Sequence, residues 1–172
     1  MNVLVIGIGN LDRGDDAAGR LVARALKDRV DGRVSVRESD GNGGSLMDVW
    51  RGARTVFLVD ATSCSAAPGT VVRVEAHAQP LPSLGVCTST HGVGVAEAVE
   101  MARALGRLPR KLIIYGIEGR RCDPGAALSP AVEEAVPRVA QWIAEEIRTM
   151  LHDLRKPALH RKSPVEKQGL AL

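Results

Sequence analysis

Val3, Leu4, Val5 and Ile6 form an unbroken apolar run that stops at Gly7, and a short run of that kind predicts a strand, Asn2 to Ile6, buried on both faces of a sheet. Past Gly7-Ile8-Gly9 the period changes. Ala18, Leu21, Val22, Ala25 and Leu26 recur at helical spacing, which predicts a helix ending near Val30, with Asp15 as its N-cap and Asp16 at its first position, facing the strand end. Val34 and Val36 mark a second strand, closing in the loop Ser39-Asp40-Gly41-Asn42-Gly43-Gly44. Leu46, Val49, Trp50 and Ala53 predict a short helix, and Thr55 to Val59 a third buried strand that ends on Asp60.

The stretch between Asp60 and the next strand, Gly69 to Ala76, is shorter than the dozen or so residues a parallel crossover needs. That fourth strand is expected to run antiparallel, and its alternation of Val72, Val74 and Ala76 with Arg73 and Glu75 fits one wet face. Pro80 and Pro82 break the chain into a loop leading to Cys87-Thr88-Ser89-Thr90-His91. Val95, Ala98, Val99, Ala102 and Leu105 then predict a helix closed by Gly106. Lys111 to Tyr115 reads as the last strand, followed by Gly116-Ile117-Glu118-Gly119. Ser129 as cap and Pro130 as first residue open a long helix along Val132, Val136, Val139, Ile143, Ile147 and Met150. The order β-α-β-α-β-β-α-β-α predicts an α/β fold, a three-layer α/β/α sandwich whose five-stranded mixed sheet has its fourth strand antiparallel.

A chain of 172 residues fits a single domain, expected here as one α/β unit over residues 1–151. The tail, 152–172, carries Arg155, Lys156, Arg161, Lys162 and Lys167 against Asp153 and Glu166, a surplus that accounts for the whole formal charge of +3. With Pro157, Pro164 and little apolar periodicity, it is expected to be disordered. The body before it is neutral and has only Phe57, Tyr115, Trp50 and Trp142 as aromatics, so no nucleic-acid partner is expected. Cys64, Cys87 and Cys122 are odd in number and widely spaced, as suits free thiols in a reducing cytosol. No cleavable leader pattern and no apolar run near the ~20 residues of a membrane helix are present, so a soluble cytoplasmic protein is expected.

Three potential ligands are expected at one rim of the sheet: Asp16 after the first strand, Asp60 at the end of the third, and His91 at the head of the helix before the last. Two carboxylates and an imidazole suit a divalent transition metal that keeps an open position. A plainer reading of the same residues has Asp16 complementing a helix dipole, Asp60 capping a loop and His91 exposed as an ordinary polar side chain. Gly7-x-Gly9 begins a dinucleotide fingerprint, but Asp12 stands at its third glycine, and Asp15 and Asp16 would repel a pyrophosphate. No nucleotide is expected. Cys87 and Ser89 precede His91 closely, yet no Gly-x-Ser-x-Gly elbow supports a nucleophile; Ser89 and Thr90 suit a helix cap, and Cys64 and Cys122 suit packed thiols. Asp40, Gly41, Asn42 and Gly43 form a candidate cleft wall, the alternative being a plain turn.

Taken in order, Gly7-Ile8-Gly9-Asn10, Asp15-Asp16-Ala17-Ala18-Gly19, Asp40-Gly41, Asp60-Ala61, His91-Gly92-Val93-Gly94 and Tyr115-Gly116-Ile117-Glu118 resemble the hydrogenase maturation endopeptidases, over Val3 to about Met150. The resemblance implies a phosphorylase/hydrolase-like sandwich and an endopeptidase that removes a C-terminal peptide from the precursor of a nickel-iron hydrogenase large subunit. It also implies that the metal-contacting, catalytic positions are Asp16, Asp60 and His91, and that the nickel arrives in the substrate. Two departures stand out. Asp16 occupies a position where the family often has Glu, and Gly41-Asn42-Gly43 follows Asp40 where it often has Gly-Gly-Thr. The expected partner is that precursor, with a monomer compatible with everything above; a non-catalytic nickel-checking factor for the same precursor and a stand-alone metallopeptidase are the alternatives.

Overall fold

The computed structural model describes residues 2–81 and 94–153. Its elements are β1 (Val3–Ile8), a 3-10 turn (Gly14–Ala17), α1 (Ala18–Lys27), β2 (Val34–Ser39), α2 (Gly43–Val49), β3 (Thr55–Thr62), β4 (Val71–Glu75), α3 (Val95–Ala104), β5 (Lys111–Glu118) and α4 (Pro130–Asp153). The five strands form one sheet in the order β2-β1-β3-β5-β4. All pairings are parallel except β4 with β5. The short β3–β4 connection therefore does what its length predicted.

Successive residues of the central strands feed opposite layers, which is why their sequences read as unbroken apolar runs. Val3 and Val5 of β1, Phe57 and Val59 of β3, and Ile113, Tyr115 and Ile117 of β5 join one core with α1 and α4. Leu4, Ile6, Ile8, Val56, Leu58, Leu112 and Ile114 join the other with α2 and α3. Outside the core, Glu38 of β2 gathers Arg20, Arg24 and Lys27 from one stripe of α1 at 3.0–3.3 Å. Arg24 first, then Arg20 and Lys27, pull its carboxyl down to about 2.

The chain crosses the sheet in a way that defines a crevice. α1 carries it from β1 outward to β2 on one face, and α2 returns it past β1 to β3 on the other. The carboxyl ends of β1 and β3 thus flank the point where winding reverses, the customary ligand site of an open α/β sheet.

Several boundaries differ from the sequence expectation. α1 stops at Lys27 and not near Val30, and α2 stops at Val49, with Trp50 as its C-cap, short of Ala53. β3 and β5 each run past the predicted ends, to Thr62 and Glu118, because they pair with each other in register from Thr55↔Lys111 to Thr62↔Glu118. Asp60 therefore lies within a strand. Gly106 does close α3: it has φ +64°, and the Arg107 and Gly106 amides bond back to Ala102 and Arg103 at 2.8 and 3.1 Å. Among the described residues no helix is long and apolar enough to cross a membrane.

Candidate functional site

The loop after β1 is shaped by close backbone contacts. Gly9 has φ +132°, and a Cβ there would run into the backbone of Asp16. The Asn10 amide donates to Asp16 Oδ2 at 2.9 Å, while Asn10 Oδ1 accepts from the Asp12 amide at 2.9 Å. Gly19, on the first turn of α1, lies against the carbonyls of Ile8 and Val59, and Gly7 lies against Gly19 and Ala23. Side chains at either glycine would push α1 away from β1 and β3, so the pair sets how near the acids of the 3-10 turn come to the end of β3.

Asp15 and Asp16 have separate tasks. Asp15 was expected to cap the helix, but its side chain is fully buried and turned the other way. Its Oδ2 accepts from the Arg120 and Arg121 amides at 2.8 and 2.9 Å, and its Oδ1 from the Ser129 amide at 2.6 Å. Burial by itself would raise the Asp15 carboxyl, yet the amides of Ser129, Arg120 and Arg121 outweigh it and hold the group below the ordinary aspartate range. The residue is a bolt between the loop after β1 and the segment after β5. Ser129 opens α4 as expected, its carbonyl accepting from Val132 and Glu133 at 3.0 Å; its buried hydroxyl, however, makes no capping hydrogen bond to the first turn among the described residues.

Asp16, left partly exposed, faces Asp60 across the crevice. Asp60 follows Leu58 on the α2/α3 face of β3 and pairs in register with Gly116. Burial and then the charge of Asp16 push its carboxyl up to about 7. Neither acid forms an ion pair with Arg or Lys among the described residues. Two facing acids without a cation among the described residues fit an incoming metal ion. His91, the third predicted ligand, lies outside the described residues, as do Cys87, Ser89, Thr90 and the tail from residue 154. Consistent with that, no cluster of three potential ligands is found among the described residues.

The Asp40–Gly43 stretch stands at the same rim, since the Gly9 amide donates to Ser39 O at 3.1 Å. Its polar groups serve the turn. Asp40 Oδ1 accepts from the Asn42 amide at 3.1 Å, Asn42 Oδ1 caps α2 through the Gly44 amide at 3.0 Å, and Gly41, at φ +84°, packs on Ile8. The carboxylate of Asp40 is exposed beside the end of β1. Cys122, read as a packed thiol, is half-buried, and burial followed by the charges of Asp16 and Asp15 pushes its thiol up. A thiol held protonated in this way is a poor nucleophile.

One organiser escaped the sequence reading of roles. Glu118, the last residue of β5, is buried at 4% exposure, and its carboxylate accepts from Thr62 Oγ1 at 3.1 Å and from the Cys64 and Ala66 amides at 2.7 and 3.1 Å. It holds the loop after β3, and with it the strand end that carries Asp60. The signal was an acid ending an apolar strand, with no partner legible in its neighbourhood.

A family model described as hydrogenase maturation protease matches residues 21–146. The hydrogenase 2 maturation protease of Escherichia coli is 27% identical over 165 residues, covering 93% of this chain and 99% of the relative. The hydrogenase expression/formation protein HupD of Thiocapsa roseopersicina is 30% identical over 146 residues, 83% of this chain, which spans 66% of that protein. In fold, the chain resembles the hydrogenase maturating endopeptidase HybD from E. coli, with a TM-score of 0.72 at 24% identity over 87% of this chain and 94% of that one. The reversed fourth strand, the crevice at the β1/β3 ends and the extent of these matches agree: the chain belongs to the hydrogenase maturation protease family.

Proposed function

We propose that this chain cuts the C-terminal peptide from a nickel-loaded hydrogenase large-subunit precursor, with Asp16, Asp60 and His91 engaging the nickel that the precursor carries. Family membership supports a peptidase acting on hydrogenase precursors. The observation that carries the metal reading is the pair Asp16–Asp60, two acids brought from separate strand ends into one crevice without a compensating cation among the described residues.

In this reading the nickel belongs to the substrate, and recognising it brings the adjoining peptide to the crevice. Nickel held there would supply polarisation of the scissile carbonyl, so that a water oxygen adds to the carbonyl carbon, the C–N bond breaks, and a proton from that water passes to the leaving amine. The two aspartates fix the precursor's metal and so orient the peptide, while Asp15 and Glu118 keep the two acid-bearing segments from drifting apart. His91 is the third proposed donor. A precursor lacking nickel offers these acids nothing to hold, so unprocessed, metal-free subunits are left uncut.

The test is to incubate the purified protein with nickel-loaded and nickel-free precursor and to weigh both products. Loss of a C-terminal peptide from the loaded form alone is expected. An unchanged mass would overturn the protease reading and leave a binding factor; cutting of both forms would overturn the nickel requirement.

A further inference from the structure

Beyond Asp60, on the same rim, lies a depression of about 370 Å³ walled by Ser63, Ser65, Ala66, Pro68, Glu118 and Arg120. We infer that this depression is a subsite for the extended substrate chain, in which the Arg120 guanidinium receives an oxygen acceptor, a carboxylate or a peptide carbonyl, of the precursor. The inference rests on the reading that Asp60 marks the place of cleavage.

Its position comes first. Gly116 is opposite Asp60 and Glu118 is opposite Thr62, so the wall at Glu118 lies two residues, about 7 Å, farther along the strands than Asp60. Alternate residues of an extended peptide are spaced by the same amount. A peptide held at Asp60 and leaving the crevice along the strand direction therefore sets the second residue from the reacting bond over the depression.

Its chemistry comes second. The Glu118 carboxylate is consumed by Thr62, Cys64 and Ala66, and so is closed to substrate. Ser65 sits between those two amides with φ +62°, the one non-glycine residue of positive φ among the described residues. Its backbone is held there by hydrogen bonds on either side, and the loop it shapes forms one wall of the depression. Arg120 also lines the depression: its amide is anchored to buried Asp15 at 2.8 Å, whereas its guanidinium has no hydrogen bond or ion pair among the described residues. An anchored backbone bearing an unengaged cation, in a depression also lined by Ser63 and Ser65, is a receptor for an oxygen acceptor.

The experiment measures binding and cleavage separately, using the full chain and the nickel-loaded precursor. Arg120→Ala is expected to weaken precursor binding in calorimetry about tenfold and to raise KM by a similar factor, with kcat within twofold and an unchanged melting temperature. Arg120→Gln distinguishes the two acceptors: affinity near wild type identifies a carbonyl, and a loss equal to that of alanine identifies a carboxylate. Arg120→Lys restores most of the binding in the carboxylate case. Unchanged precursor affinity in both Arg120→Ala and Arg120→Gln overturns the subsite, as does a loss confined to kcat. Because binding is read by itself, a wild-type protein that bound the precursor without cutting it would count against the protease reading and leave the Arg120 comparison decisive.

Discussion

Asp60 carries the charge of Asp16 as well as its own burial, and the two together lift its carboxyl from the ordinary 3.8 to about 7. The acids lie 44 positions apart in the chain and meet only because β1 and β3 are neighbours at the switch of winding. Their repulsion is a cost in the protein alone and becomes an attraction once a divalent ion stands between them.

That cost is measurable as stability against pH. The folded-state value of Asp60 is raised, so its contribution is fully present below 3.8 and is lost as pH rises through about 7. Asp60→Asn should therefore melt higher than wild type at pH 8, by roughly several degrees, with the difference shrinking below pH 7 and vanishing near pH 4. Thermal scans of both proteins across this range check it; an Asp60→Asn melting point below wild type at pH 8 contradicts it.

The three proposed ligands predict a shared phenotype. Asp16→Asn, Asp60→Asn and His91→Ala should each lower kcat/KM for precursor processing by at least about a hundredfold while leaving circular dichroism unchanged. Asp16→Asn keeps an oxygen for the Asn10 amide, so its loss reports on charge and not on the loop. If two of the three soluble variants process normally, the metal assignment falls.

Asp15 should behave in the opposite way, as a residue of the scaffold. Asp15→Ala leaves three amides, of Arg120, Arg121 and Ser129, without their acceptor, at a cost of about 3 kcal/mol or more in denaturant unfolding. The wild-type residue also predicts acid sensitivity. With its folded value lowered below 3.8, its contribution holds above that pH and is lost as pH falls through the folded value.

Gly19 tests the packing that brings the acids together. Gly19→Ala puts a methyl into the carbonyls of Val59 and Ile8, backbone atoms that cannot swing aside, and should cost about 2 kcal/mol or more. A slowed precursor reaction with the acids intact would follow from α1 moving away from β3. A variant with unaltered stability would show that the helix can shift freely.

The tail remains a proposal from composition, with one refinement. Met150 and Leu151 pack against the core and α4 runs to Asp153, two residues past the expected boundary at 151, so a truncation that removes only the tail is made after Asp153. Truncation there should change the melting temperature by less than about 1 °C. A larger fall would show that the basic segment contributes to the fold.

Much of the fold was legible because its signals are local. Both-face burial writes an apolar run, as in Val56 to Val59, and one-sided helices write a stripe, as in α1. The antiparallel fourth strand followed from the shortness of the β3–β4 connection. The strand ends were misread because Asp60 and Gly116, both poor strand formers, interrupt the apolar runs; the pairing of the two segments with each other keeps the chain extended past them.

The roles of the acids divide along the same line. Sequence by itself determined the layer order, the reversed strand and the short list of candidate ligands, because periodicity, glycine turns and loop lengths are properties of neighbouring residues. Only the tertiary structure decided that Asp15 faces inward to amides more than a hundred residues away, that Glu118 is committed to the loop after β3, and that Asp16 and Asp60 share one crevice. A carboxylate's task depends on which donors and charges surround it, and these come from remote parts of the chain that only folding brings near.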